Sequence, residues 1–180
     1  MCIDKYCSWS YLKQWIPSEY HHRILLIQED ITGMTAASLL QSIKQKWETA
    51  EWHKFVWCHG SPSCRSHSRA DRGLSKHRDS AGRPLTALAK ADDKALSSFI
   101  QIMLTVREQS PQALMSIENP VSPTFRLQPC IQKLRRQGWQ WLTASYCKSA
   151  DDTMDAGTWP KKNTNFLLDR VPTGFQLPIC

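Results

Sequence analysis

An α/β fold with a doubly wound, mostly parallel sheet is what this sequence predicts, and three observations carry the prediction. Short apolar runs such as Arg23–Ile27 suit strands covered on both faces. Longer segments between them repeat their apolar residues at helical spacing. Strands that alternate with helices in this way build a parallel sheet flanked by helices.

In chain order, residues 1–22 form a lead-in with Trp9, Tyr11 and Trp15 in no clear period, read as irregular or briefly helical. Arg23–Ile27 is the first expected strand. Thr35–Trp47 places Leu39, Leu40, Ile43 and Trp47 on one helical face, and Lys54–Cys58 follows as the second strand. Gly60–Ala91 is polar, contains Gly73, Gly82 and Pro84, and reads as a loop whose length marks function or disorder. Asp92–Gln109 repeats Leu96, Phe99, Ile100, Met103 and Leu104 at helical spacing. Asp92 and Asp93 stand in its expected first turn, where they complement the helix dipole. Pro111 ends that helix and Ala113–Ile117 is the third strand. Leu127–Gln137 reads as a basic amphipathic helix stopped at Gly138; Trp139–Tyr146 and Asn165–Leu168 are later strands, with Gly174–Cys180 an added edge.

At 180 residues and 41% hydrophobic content the chain is long enough for one domain with a sizeable core. No apolar stretch approaches the roughly 20 residues that span a bilayer, so no membrane segment is expected. The first residues lack the basic-then-apolar order of a secretory signal. Seven cysteines in irregular spacing argue against a disulfide framework and for reduced thiols in an intracellular compartment, nuclear or cytoplasmic. Net charge is +7, and residues 65–94 hold eight Lys or Arg against four Asp. That stretch suits a polyanion such as nucleic acid, or equally a solvated loop.

Two short motifs stand at strand ends: Gly60-Ser-Pro-Ser-Cys64-Arg-Ser-His-Ser68 and Ile117-Glu-Asn-Pro120. Neighbouring strands of an open α/β sheet share one crevice at their carboxyl ends, so Cys64 and Glu118 are expected to face one ligand. A lone cysteine at a strand end is most often an inert small residue. Here Pro62 fixes the turn, Arg65 favours the thiolate, and Ser66, His67, Ser68 and Arg69 stand where phosphate oxygens need donors. Glu118 alone would read as a cap or ion-pair partner, but Pro120 makes its run a rigid, ligand-facing turn. A thiolate beside a carboxylic acid is what attack on C6 of cytosine requires, the sulfur adding to the ring while the acid donates to N3. Cys58, His59, Cys64 and His67 also raise zinc. Their C-x5-C-x2-H spacing matches no standard finger or knuckle, and no metal is expected.

From about Arg23 to Phe175 the motif order resembles that of DNA (cytosine-5)-methyltransferases, especially short divergent members of phages and mobile elements. Ser61-Pro-Ser-Cys64, with Ser68, is similar to that family's Ser-Pro-Pro-Cys loop, which would make Cys64 the nucleophile. Ile117–Pro120 is similar to its base-binding loop, which would make Glu118 the acid and Asn119 its positioner. Glu29-Asp30-Ile31 is similar to the acidic turn that contacts the cofactor adenosine, so the resemblance implies S-adenosylmethionine held near Asp30, Ile31 and Pro62. Ser145-Tyr-Cys147 and Lys161-Lys-Asn-Thr-Asn-Phe166 are similar to a segment of the divergent members. Nucleic-acid contacts, most simply with DNA, are then expected from Arg65, Ser68, Arg69, Lys161, Lys162, Thr164 and Asn165.

The resemblance implies a Rossmann-like fold of the S-adenosylmethionine-dependent methyltransferase type, N-terminally truncated. Its catalytic domain would cover 23–180, with a basic loop at about 65–91. The sequence departs from the family at defined places: no Phe-x-Gly-x-Gly-Gly loop occurs, Ser63 precedes the cysteine, and Arg65 follows it. Lys161, Asn163 and Asn165 replace the usual Gln-x-Arg-x-Arg. A weak cofactor site, or one completed by a second chain, is therefore expected. Two functions follow: cytosine-5 methyl transfer through a Cys64 adduct, or an inactive remnant that binds nucleic acid or a partner subunit.

Overall fold

The structure, a computed structural model, describes residues 2–3, 18–19, 26–27, 31–46, 57–63, 65–67, 77–145 and 163–174. It is α/β. Contacts divide the chain into two compact units, residues 1–58 with 97–113 and residues 59–96 with 114–180.

In the first unit, β1 (Cys2–Ile3) pairs in parallel with β2 (Leu26–Ile27). The expected lead-in thus contributes a strand of its own. Helix α1 (Ala36–Lys46) starts where Thr35 and Ser38 exchange hydrogen bonds. The Ser38 N–H donates to Thr35 Oγ1 at 3.1 Å and the Thr35 N–H to Ser38 Oγ at 2.8 Å, the reciprocal pattern of a capping box. Leu39 and Ile43, one turn apart, are wholly buried.

Helix α2 (Ala87–Gln109) begins five residues before Asp92. Thr86 explains the early start: its hydroxyl accepts from the Ala89 N–H at 3.3 Å and its carbonyl from the Lys90 N–H at 3.1 Å. Asp92 and Asp93 consequently fall beyond the first turn, where they bind side chains and backbone rather than the helix dipole. The end of the expected long loop is likewise ordered, with Arg78 and Pro84 bridged across a turn.

The second unit is built on a four-stranded mixed sheet of order β3-β4-β6-β5, comprising Trp57–Gly60, Leu114–Pro120, Asn163–Leu168 and Gln140–Ser145. The expected mostly parallel sheet is corrected here, because β6 runs antiparallel to both of its neighbours. The β4 strand also outlasts its expected end at Ile117. Glu118 pairs with Phe166, Asn119 with Asn165 and Pro120 with Thr164, so the Glu-Asn-Pro run is strand and not turn. Pro120, which has no N–H to give, occupies the last rung.

The single basic helix expected over 127–137 is two short ones, α3 (Pro123–Arg126) and α4 (Pro129–Arg136). Pro129 holds the preceding Gln128 extended, at φ −61° and ψ 132°, which separates them. Helix α4 does stop at Gly138, whose φ of +95° lets the Trp139 N–H reach back to the Leu134 carbonyl at 3.2 Å. Trp139, Phe125, Ile131, Leu134, Ile117 and Leu167 form the buried core of this unit. No described helix is long and apolar enough to cross a membrane.

Candidate active site

Glu118 stands near the end of β4, 9% exposed, and both of its oxygens are engaged. The Ser61 hydroxyl, from the loop after β3, donates to Oε2, and the Thr164 hydroxyl, from the start of β6, donates to Oε1. Thr164 is fully buried while Ser61 is exposed, so Oε2 is the oxygen nearer solvent. Hydroxyls donate and accept equally well, and this pair therefore holds the carboxyl in either protonation state. On the same strand, Ser116 is bonded to His59 Nδ1 at 2.8 Å, and the imidazole stacks obliquely on Phe166 with centroids 6.1 Å apart. Burial lowers the His59 pKa, and the charge of Glu118 opposes that shift.

Successive strand residues face opposite sides of a sheet, so Asn119 projects away from Glu118. Asn119 is wholly buried, and among the described residues neither its amide nitrogen nor its oxygen has a partner. The side chains that bond the Glu118 carboxyl are Ser61 and Thr164. Thr164 and Asn165 were expected to meet nucleic acid, yet both are buried. Asn165 Oδ1 accepts from the Thr143 hydroxyl at 3.0 Å across the β5–β6 pair. Arg65 is exposed, as a phosphate contact must be. Cys64, Ser68, Arg69, Lys161, Lys162 and Asp30 lie outside the described residues.

Ser61 and His59 were not among the expected site residues, although both flank the proline-cysteine loop. Their signal was position alone: side chains two and four residues after the start of β3, at the strand's carboxyl end. Cys58 is a free thiol whose pKa burial pushes up to about 11, which makes it a poor nucleophile at neutral pH. Among the described residues no three metal-ligating side chains come together.

The residues expected to hold S-adenosylmethionine are divided. Ile31 begins a 3-10 turn of the first unit, half-buried, whereas Pro62 belongs to the second. Pro62 brings a ring face and a carbonyl, but nothing to meet the methionine carboxylate or amine. Pro62 by itself would meet only part of the cofactor.

His67 is 3% exposed and packs edge-on against Phe125 at 5.2 Å, with no described partner for Nδ1. Burial first, and then the positive charge of Arg78, hold its pKa at about 4 against the ordinary 6.5; Asp93 and Asp92 oppose them. A depressed folded pKa means that the unfolded chain takes up the proton first as pH falls. The neutral imidazole's contribution is complete above pH 6.5 and is lost between pH 6.5 and 4, about 3 kcal/mol in all. Urea unfolding at pH 7 and pH 4.5 is expected to show a smaller loss in His67→Gln than in the parent chain. Equal losses would place the acid sensitivity elsewhere.

Comparison with protein-family models, with curated proteins and with solved structures finds no match to this chain.

Proposed function

We propose that this chain is a DNA cytosine-5 methyltransferase-like protein that activates a flipped cytosine through a covalent adduct at Cys64. One observation carries the reading: the Ser61 hydroxyl lies on the Glu118 carboxyl, so the two motifs meet across neighbouring strands. Cys64 follows Ser61 by three residues, and the covalent chain limits the distance between their Cα atoms to about 11 Å.

In this mechanism a cytosine leaves the base stack and enters the crevice at the ends of β3 and β4. The Cys64 thiolate forms the S–C6 bond. Electrons of C5=C6 move to C4=C5, those of C4=N3 move to N3, and N3 takes the proton of Glu118 from the Oε2 side. The adduct is an enamine with nucleophilic C5. When bound, S-adenosylmethionine supplies the methyl group. Water then takes the C5 proton, the C5–H electrons re-form C5=C6, the S–C6 pair leaves with Cys64 as thiolate, and N3 returns its proton to Glu118.

DNA carrying 5-fluorocytosine tests this, because fluorine at C5 blocks the last elimination and leaves the protein attached. With S-adenosylmethionine present, a band of protein bound to DNA should survive denaturation and vanish in Cys64→Ser. Persistence of the band in Cys64→Ser would remove Cys64 from the mechanism. Salt-sensitive DNA binding with no adduct, alone or with a second copy of the chain, would instead favour the inactive nucleic-acid-binding remnant.

A further inference from the structure

The chain just after Cys64 is held by a buried guanidinium that has no part in the chemistry above. The Arg78 side chain is 1% exposed. Its Nε and Nη2 donate to Ser66 Oγ at 3.2 and 3.0 Å, and Nη1 donates to the Gly82 carbonyl at 3.1 Å. Nη2 also reaches the Ala89 carbonyl at 3.1 Å and Asp93 Oδ1 at 2.6 Å. The Ser66 N–H donates to Asp92 Oδ2 at 3.1 Å, and the His67 carbonyl accepts from the Ser122 hydroxyl at 2.6 Å.

Glycine is required for this arrangement. Gly82 has φ +80°, and a Cβ there would stand 3.2 Å from both the Thr124 carbonyl oxygen and Leu127 Cβ. A planar fork is needed as well, because a lysine ammonium cannot reach acceptors spread over Ser66, Gly82, Ala89 and Asp93 at once. Ser63 and Arg65, which flank Cys64, are both exposed. Among the described residues on either side of Cys64, Ser61 is held on Glu118, Ser66 on Arg78 and Asp92, and the His67 carbonyl on Ser122.

Resting on the cytosine reading, we propose that Arg78 is a positioning residue for the nucleophile loop, pinning Ser66 so that Cys64 meets C6 of the flipped base in one register. Attack requires the reacting atoms about 3–3.5 Å apart, and a loop released at one anchor loses that alignment.

Two variants of the full chain test the proposal. Ser66→Ala removes one acceptor and leaves Arg78 its other partners; Arg78→Lys keeps the charge and loses the fork. Iodoacetamide labelling at several pH values, resolved by mass spectrometry, compares Cys64 with Cys58 and Cys130. In parallel, the rate of the 5-fluorocytosine adduct is measured against DNA affinity. In Ser66→Ala, Cys64 labelling should rise while Cys58 and Cys130 stay as they were. The adduct rate should fall about tenfold to a hundredfold at unchanged DNA affinity. Unchanged Cys64 labelling, or a parallel rise at all three thiols, would overturn the proposal by reducing Arg78 to a stabilising residue. Should Arg78→Lys not fold, Ser66→Ala decides. Absence of any adduct in the parent chain would end the cytosine reading, while the thiol comparison would still decide whether Arg78 sets the loop.

Discussion

Glu118→Gln is expected to slow adduct formation on 5-fluorocytosine DNA by roughly 10²- to 10⁴-fold, the loss that follows removal of a positioned general acid. The fold should tolerate the change. Glutamine has nearly the shape of glutamate: its oxygen still accepts from one of the two hydroxyls that donate to Glu118, and the other hydroxyl can rotate to accept from its NH2. What it lacks is a proton to transfer to N3. Quenched time points on a denaturing gel give the rate, and the melting temperature reports the fold. A Glu118→Gln protein that forms the adduct at the parent's rate would take Glu118 out of the chemistry and leave it a structural carboxylate. Thr164→Val should give a smaller loss, because it frees Oε1 without removing the acid.

Arg78→Met is expected to destabilise the chain by about 3–5 kcal/mol, as breaking a buried ion pair does when one charge is left behind. Methionine fills much of the volume but removes the guanidinium donor from Asp93 and from the Ala89 and Gly82 carbonyls, of which Gly82 keeps the Gln128 Nε2 donor at 3.0 Å. For a chain of this size each kcal/mol shifts the melting midpoint by about 2–4 °C, so a fall on the order of 10 °C is expected. Arg83 provides the control. It pairs with Asp79 at 2.6 Å, yet its side chain is 80% exposed, and Arg83→Met should leave the midpoint essentially unmoved. Equal shifts in the two variants would mean that burial does not govern the Arg78 pair.

What the sequence revealed of the fold followed from burial. Leu39 and Ile43 in α1, and Leu96, Ile100 and Met103 in α2, recur at helical spacing because one face of each helix is covered, and all five are buried. The stop at Gly138 was equally legible, since only a residue at ease with positive φ closes a helix that way. Boundaries set by one hydrogen bond were not legible. Thr86 moves the start of α2, and Pro129 divides the basic helix, without any change in apolar pattern. Strand direction was not legible either, because a run such as Asn163–Leu168 has the same side-chain alternation whichever way it points.

The site was legible in part for the same reason. Glu118 stood out through its motif, but its partners come from residues 61 and 164, brought to it by pairing that no local pattern records. Asn119 adjoins Glu118 in sequence but is bonded to neither Ser61 nor Thr164 and is buried. In a strand, the next residue is the one that points elsewhere.

The place of β6 also bears on how the chain reaches its fold. Among the described residues this strand is the last of the sheet in sequence, yet it lies between β4 and β5 and bridges them. During synthesis β4 and β5 must wait, each with an unpaired edge, until residues 163–168 emerge, and neither can close the sheet without them. Such late, long-range pairing slows folding, and it exposes strand edges to other chains for as long as it is delayed. A ribosome stalled before residue 163 would therefore hold a nascent chain with the acid of β4 already made but no Thr164 to orient it, so that the sheet and its carboxyl are completed by one and the same event.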